Sequence, residues 1–214
     1  MKIIDCIQGA PEWHAARCGR VTGSRIADIM RQTKSGPSKM RQTYAGEIVA
    51  ERLSGFQDSN GFTSAAMQWG KDNEPKAREL YAFMHDVTVT PIGFVLHPII
   101  DGAGASPDAL AGEDGGIEIK CPTSANHIET LLGAPIDPDY MKQIDWSLAC
   151  TGRKWWDFVS FDPRLPAEMQ IHVVRVVRDP RRIAEIETQV RSFLREVDET
   201  VARLSAKFMQ AAAE

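Results

Sequence analysis

The feature that most constrains the fold is the alternation in residues 117–120, which read Ile-Glu-Ile-Lys. Successive side chains of a β-strand point to opposite faces, so both isoleucines would enter a core while Glu118 and Lys120 share the other face. A glycine-rich stretch, residues 111–115, separates this strand from another short strand before it. The pattern predicts a β-hairpin at one edge of a sheet.

The hairpin would bring two carboxylates together. Asp108 and Glu118 are equally far from Glu113, so we expect them to face each other, with Lys120 on the same face. Mg²⁺ binds carboxylate oxygens, waters and phosphate oxygens, and a lysine beside it could orient an attacking water or stabilise phosphate charge. A surface hairpin with solvated charges is the alternative, but the Pro-Asp before the glycine-rich turn favours a metal site.

Helical and strand patterns divide the rest of the chain. Ser38, and either Thr22 or Ser24, are candidate helix caps, and 34–38 reads as a loop. Helices are predicted within 11–54 and over 64–84 (with Pro75 as a kink or restart), 124–132, 138–151 and about 179–210, and strands within 87–100 and over 104–110, 116–121, 155–161 and 169–177.

The order of these elements predicts an α/β (α+β) fold with a central mixed β-sheet flanked by helices. No linker, repeat or low-complexity tract interrupts the sequence. We therefore expect one domain over residues 1–214. It would have a helical N-terminal part (11–84), a sheet-bearing core (about 85–178) and a C-terminal helix (about 179–210).

Composition excludes several classes of protein. The chain has 43% hydrophobic and 25% charged residues, which is typical of a globular protein, and no apolar run long enough to span a bilayer. Its four cysteines form no CxxC pair, so neither a zinc nor an iron–sulfur site is expected. The N-terminus lacks the apolar core of a signal peptide, and a cytoplasmic location is expected. The net charge of −4 argues against a nonspecific nucleic-acid binder, although a basic groove can exist on an acidic protein.

Several segments together carry a family resemblance. The chain resembles the phage lambda-type 5′→3′ exonucleases, also called the viral recombinase family, within the PD-(D/E)xK nuclease superfamily. This resemblance implies a restriction-endonuclease-like core. The matching segments span nearly the whole chain: WHAAR at 13–17, VTGS at 21–24, WGK at 69–71 with Glu74, SPD at 106–108, EIKCP at 118–122 and YMKQI at 140–144.

The resemblance also implies a catalytic set, which comprises Asp108, Glu118, Lys120, Glu74 and Gln143. Asp108 and Glu118 would be direct Mg²⁺ ligands, the main-chain carbonyl of Ile119 would complete the site, and Glu74 would reach a second metal position. Lys120 would position the attacking water, supported by Gln143. Two Mg²⁺ ions per site would share the work, and Mn²⁺ could substitute for them.

A second implied site concerns the DNA end. Arg17 and Ser24 flank a loop that enters a helix, where a cation and a hydroxyl can bind an anion. A surface ion pair and a helix cap are the alternative reading of these two residues. In the family the matching residues hold the 5′-terminal phosphate, and Ser106 adds a contact. Trp13 is a candidate for base stacking, and Lys34 belongs to a candidate DNA-touching arm.

The implied function is digestion of the 5′-ended strand of linear duplex DNA, which leaves a 3′ overhang for recombination. The implied partners are a homotrimeric ring of this chain and a single-strand annealing recombinase, with no membrane partner. Two alternatives stay open at this stage: a RecB-type endonuclease or repair nuclease with the same core, and a DNA-end clamp without catalysis.

Overall fold

The computed structural model describes residues 1–34, 36–57 and 64–211, with side chains to residue 208. The helices are α1 (Pro11–Arg17), α2 (Ile26–Met30), α3 (Lys39–Ser54), α4 (Ala65–His85), α5 (Ser124–Leu131), α6 (Pro138–Thr151) and α7 (Pro180–Ala211). The strands are β1 (Lys2–Ile4), β2 (Gln32–Thr33), β3 (Gly36–Pro37), β4 (Val89–Thr90), β5 (Phe94–Leu96), β6 (Gly104–Ala105), β7 (Ala109–Ala111), β8 (Gly115–Lys120), β9 (Trp155–Phe161) and β10 (Ile171–Val177). None of the helices in these residues is long and apolar enough to cross a bilayer.

A five-stranded mixed sheet forms the centre of the molecule, in the spatial order β10-β9-β8-β7-β4. The pair β8–β9 is parallel and is connected through α5 and α6, whereas the other neighbouring pairs are antiparallel. The strands β1, β5 and β6 form a second, smaller sheet. The predicted fold class, a central mixed sheet flanked by helices, is confirmed; the smaller sheet was not foreseen.

Helices cover both faces of the five-stranded sheet. Trp156 and Phe158 of β9 pack into one core cluster with residues of α2, α3, α6 and α7. Val159 and Phe161 point to the opposite face and pack in a second cluster with residues of α4. Since both faces of β9 are buried, its residues are almost continuously apolar.

Local signals place several helix ends correctly. Ser38 caps α3 by accepting a hydrogen bond from the backbone N–H of Arg41, and Gly55 ends this helix in the left-handed conformation at φ 69°. Helix α4 continues through Pro75 without a break, so the helix does not restart there. The helices predicted over 124–132 and 138–151 are confirmed to within one residue.

Three local predictions are wrong. Residues 34–38 are not simply a loop, because Gly36–Pro37 pairs with Gln32–Thr33 in a small β-hairpin; the N-terminal part is therefore not wholly helical. Ser24 lies inside a short 3-10 turn, and Thr22 before it makes no side-chain capping bond. The strand predicted over 104–110 is two strands in two different sheets.

This break in the strand has a physical cause. Residues 104–105 pair with β5 in the smaller sheet, whereas residues 109–111 pair with β8 in the larger one. Pro107 lies between them and has no N–H to donate to a ladder, so a continuous strand is disfavoured at this point. The segment 106–108 therefore crosses between the sheets, and this crossing carries both Ser106 and Asp108.

Candidate active site

The register of the β7–β8 hairpin places the two predicted carboxylates opposite each other. Ala109 pairs with Ile117, and Ala111 pairs with Gly115. Continuing the same register by one residue puts Asp108 across from Glu118. The pairing predicted from the symmetry of the turn, with Asp108 and Glu118 equally far from Glu113, is confirmed.

Glu118 is held tightly in the interior and is 1% exposed. Its Oε1 accepts hydrogen bonds from Lys120 Nζ at 2.7 Å and from Gln143 Nε2 at 2.6 Å. Its other oxygen, Oε2, is buried without a hydrogen-bond partner among the described residues. A buried carboxylate oxygen without a donor is unfavourable unless a ligand completes it.

Asp108 is oriented by the backbone of the facing strand. Its Oδ2 accepts a hydrogen bond of 2.6 Å from the N–H of Ile119. Burial, and then the negative charge of Glu118, raise the pKa of Asp108 well above its usual value, although Lys120 opposes the shift. A cation bound beside these carboxylates would lower the pKa of Asp108 again, because it stabilises the ionised form.

Glu74 and Lys120 complete this electrostatic group. Burial raises the pKa of Glu74; Lys120 opposes this shift and Glu118 adds to it. Burial acts to lower the pKa of Lys120, but the charges of Glu118 and Asp108 outweigh it, so that its pKa is raised above the usual value. Lys120 is therefore a firmly protonated ammonium that partly neutralises three carboxylates.

The resulting donor set is oxygen-rich but sparse. Within the described ranges, no group of three or more His, Cys, Asp or Glu side chains is arranged to hold a metal ion by itself. A Mg²⁺ site commonly uses only one or two protein carboxylates and completes its shell with waters and substrate phosphates. Asp108 and Glu118 on one face, with Glu118 Oε2 unpartnered, fit this pattern.

A cleft of about 1710 Å³ connects Asp108 and Glu74 with Arg17 and Ser24, whereas Glu118 lies behind Asp108 and does not line it. The predicted site residues that line it are Trp13, Arg17, Ser24, Glu74 and Asp108. A cleft this large, with cations and carboxylates together, suits a polyanionic substrate cut at an acidic centre.

The candidate phosphate site is built around Ser106. Its Oγ accepts hydrogen bonds from Arg17 Nη1 at 3.1 Å and from Trp13 Nε1 at 2.9 Å. The Arg17 guanidinium also lies over the Trp13 ring, 4.0 Å from its centroid. Burial lowers the pKa of Arg17, and its Nε is buried without a hydrogen-bond partner among the described residues. The sequence did not predict that Trp13 orients this group.

The other two predicted DNA contacts differ in position. Ser24 is exposed and lines the cleft, so it can reach a ligand there. Lys34 is exposed in the turn of the β2–β3 hairpin and is not among the residues that line the cleft. Lys34 thus has neither a place in the cleft lining nor a hydrogen bond or ion pair with another predicted site residue among those described.

Two residues outside the predicted site hold the segments that carry it. Gln8 donates hydrogen bonds to the carbonyls of Pro107 and Ile92, which fixes the crossing segment 106–108. Glu51 accepts a hydrogen bond from the N–H of Gly19 and thereby holds the end of α1. No sequence signal marks Gln8, since a lone glutamine has no pattern around it.

Tyr140 contacts the catalytic candidates directly. Its ring lies 4.7 Å from Lys120 Nζ, in a cation–π arrangement. It precedes Gln143 by three residues on α6, so both side chains lie on one face of the helix. This spacing is the signal that could have assigned Tyr140 a role.

Comparisons with known proteins agree with this architecture. A family model described as the YqaJ-like viral recombinase domain matches residues 12–154. An alkaline exonuclease from Laribacter hongkongensis, LHK-Exo, is 47% identical with a TM-score of 0.86, covering 94% of this chain and 100% of LHK-Exo. The same values hold for LHK-Exo in complex with dAMP.

Two more distant proteins are also similar. A phage-related exonuclease from Haemophilus somnus 129PT has the same fold at 15% identity, with a TM-score of 0.64 over 86% of this chain and 96% of that one. The ExoD protein of Escherichia coli (strain K12) is 30% identical over 69 residues, which are 32% of this chain and 78% of ExoD.

Proposed function

The chain belongs to the YqaJ-like viral recombinase family, whose members include exonucleases, and from this premise we propose a specific activity for it. It is a Mg²⁺-dependent exonuclease that digests the 5′-ended strand of linear duplex DNA and leaves a 3′ single-stranded overhang. The observation that carries the proposal is the pairing of Asp108 with the buried Glu118, together with a cleft that both Asp108 and Arg17 line.

The side chains present fit a Mg²⁺ site. Asp108 and Glu118 would hold the ion together with the main-chain carbonyl of Ile119, and Glu74 would serve a second metal position. The unpartnered Glu118 Oε2 and the raised pKa of Asp108 both fit a site for a cation. When bound, Mg²⁺ supplies charge neutralisation at the phosphate and acidifies an attacking water.

The protein groups have separate tasks in the hydrolysis. Lys120 orients the attacking water and stabilises the negative charge that develops on the phosphate. Gln143 and Lys120 together fix Glu118 through its Oε1. Water attacks the phosphorus and the bond to the 3′ oxygen breaks, so that a mononucleotide leaves and the remaining strand carries a new 5′-phosphate.

The 5′ polarity rests on how close the two sites are along the chain. Ser106, which contacts Arg17, precedes Asp108 by only two residues, so their Cα atoms are at most about 7 Å apart. A 5′-phosphate held by Arg17, Ser24 and Ser106 would lie next to the carboxylates. This spacing favours cleavage of the phosphodiester bond that follows the terminal nucleotide, and each cut regenerates a 5′-phosphate for Arg17 to hold.

We extend the proposal to the assembly. A homotrimeric ring around DNA would keep the enzyme on its substrate despite a net charge of −4, since topology replaces long-range attraction. Residues 1–214 are proposed to form one nuclease domain, because β9 contributes to both core clusters. A single-strand annealing recombinase would take over the 3′ overhang.

Two forms of duplex test the activity. The purified protein is incubated with Mg²⁺ and either linear duplex labelled at one 5′ or one 3′ end, or covalently closed circles. We expect early release of the 5′ label as mononucleotide and intact circles. Cutting of circles would favour the endonuclease alternative, and early release of the 3′ label would refute the polarity. Loss of neither substrate would favour the non-catalytic clamp.

The metal is tested in the same assay. Activity should disappear in EDTA and return with Mg²⁺ or Mn²⁺, whereas Ca²⁺, which prefers more ligands and a looser geometry, should not restore it. Equal activity with Ca²⁺ and Mg²⁺ would contradict the proposed site.

A further inference from the structure

Helix α4 presents a charged face to the cleft beyond the residues assigned so far. Met67, Lys71, Glu74 and Arg78 all line the cleft and follow one another at intervals of three or four residues. This spacing places them on one face of the helix. Arg78 lies about 6 Å along the helix axis from Glu74, at a rise of ~1.5 Å per residue.

Arg78 differs from the other arginines of the cleft in its partners. Arg17 donates to Ser106, Arg20 donates to the carbonyl of Ala16, and Arg25 is paired with two carboxylates. Within the described part of the chain, Arg78 forms no hydrogen bond or ion pair, and its Nε is buried without a partner.

Arg78 acts on Glu74 only at longer range. Its charge acts to lower the pKa of Glu74, and the two residues are four apart on one helix, but they form no salt bridge among the described residues. A guanidinium that stays unpaired and partly buried in a cleft is suited to an anion from outside the protein.

We propose that Arg78 binds an internal phosphate of the DNA strand, at a subsite separate from the one that holds the 5′-terminal phosphate. The inference rests on the proposed function, because it takes the cleft to be the DNA channel. Arg17 is on α1 and Arg78 is on α4, so a strand that crosses the carboxylates would meet one guanidinium at its end and another further along.

The first experiment measures DNA binding without cleavage. Binding of a short duplex is measured in EDTA at several salt concentrations for the wild type, Arg78→Gln and Arg203→Gln. Arg203 is an exposed arginine of α7 outside the cleft lining and serves as the matched control. Loss of one phosphate contact should reduce the slope of log affinity against log salt by about 0.7–0.9 in Arg78→Gln only. An unchanged slope would overturn the proposal.

The second experiment separates the two phosphate subsites. Initial rates are compared on linear duplex with a 5′-phosphate or a 5′-hydroxyl. At subsaturating DNA, Arg78→Gln should lower the rates on 5′-phosphate and 5′-hydroxyl duplex by a similar factor, on the order of tenfold. The ratio of the two rates should therefore stay as in the wild type. Arg78→Lys, which keeps the charge, should restore part of the rate. A ratio of these two rates close to one in Arg78→Gln would place Arg78 in the terminal-phosphate site and refute the separate subsite.

Two other roles for Arg78 would be visible as well. If Arg78→Gln weakened inhibition by a nucleoside monophosphate but left DNA affinity unchanged, the residue would bind product and the proposal would be wrong. A lower melting temperature with unchanged DNA affinity would indicate a purely structural role and would also refute it. The salt dependence in EDTA does not need catalysis, so it tests Arg78 even if the proposed nuclease activity fails.

Discussion

The carboxylate centre and the candidate phosphate site both border one cleft, through Asp108 and Glu74 on one side and Trp13 and Arg17 on the other, but they are built in opposite ways. The carboxylate centre, formed by Asp108, Glu118, Glu74 and Lys120, contains more negative than positive charge and supplies its own counter-ion in Lys120. The candidate phosphate site, formed by Trp13, Arg17 and Ser106, contains a partly buried cation whose hydrogen-bond and ring contacts are to neutral groups.

This difference indicates which kind of ligand suits each region. The carboxylate centre has an oxygen without a donor, and the phosphate site has a guanidinium N–H without an acceptor. A cation would complete the first and an anion the second. In the proposed function DNA and Mg²⁺ together supply both, so the two regions should respond differently when either ligand is removed.

The largest effect is expected at the carboxylate centre. Asp108→Asn keeps an acceptor for the N–H of Ile119 but loses the negative charge, so cleavage should fall by roughly 10³-fold or more. Glu113→Gln, in the exposed hairpin turn, should cleave normally and serves as the control. Steady-state cleavage of linear duplex measures both. Cleavage by Asp108→Asn at the wild-type rate would refute the metal assignment.

A somewhat smaller loss is expected when the internal counter-ion is removed. Lys120→Ala takes away the charge that we propose stabilises the transition state, so kcat should fall by about 10²–10³-fold with little change in KM. Lys142→Ala on α6, whose ammonium pairs with Asp139, is a control of the same chemistry. A large rise in KM with an unchanged kcat would mean that Lys120 binds DNA instead.

Removing the phosphate anchor should have a more selective effect. Wild-type enzyme should degrade 5′-phosphorylated duplex at least about tenfold faster than 5′-hydroxyl duplex, because a charge-assisted hydrogen bond contributes ~1.5–3 kcal/mol. Arg17→Ala should bring this ratio close to one and also reduce processivity. A ratio near one in the wild type, or a large ratio that persists in the variant, would show that Arg17 is not the anchor.

The smallest effect concerns stability without metal. The raised pKa values of Asp108 and Glu74 mean that the folded state binds protons more tightly than the unfolded state, so these groups lower stability as the pH rises. In EDTA at pH 8, Asp108→Asn should therefore raise the melting temperature by a few degrees, ~2–4 °C per kcal/mol for a chain of this size.

That gain should shrink as the pH is lowered toward 5, because the wild-type carboxyl groups, with their raised pKa values, take up protons as the pH falls. Addition of Mg²⁺ at pH 8 should stabilise the wild type more than the variant, because the ion binds the folded state. Scanning calorimetry at the two pH values measures both differences. A variant that is less stable than the wild type at pH 8 would contradict the electrostatic account.

Much of the fold could be predicted from local patterns. The long helix α7, the pair α5 and α6, and the strand β9 follow from apolar periodicity and caps, which act over a few residues. The errors fall where partners distant in sequence decide the structure. Residues 104–105 join a sheet with β1 and β5, and nothing in their own sequence specifies that partner.

In the two sites, too, contacts between residues near in sequence were predictable, whereas contacts between distant residues were not. The sequence alone determined that Asp108 faces Glu118, because a short hairpin fixes its register through the turn and the alternation of side chains. Only the tertiary structure decided that Trp13 and Arg17 meet Ser106, that Lys34 lies away from the cleft, and that Arg78 stays unpaired within it. The physical reason is the distance along the chain. Contacts across a turn follow from backbone geometry, whereas contacts between residues about 90 apart depend on how every intervening element packs.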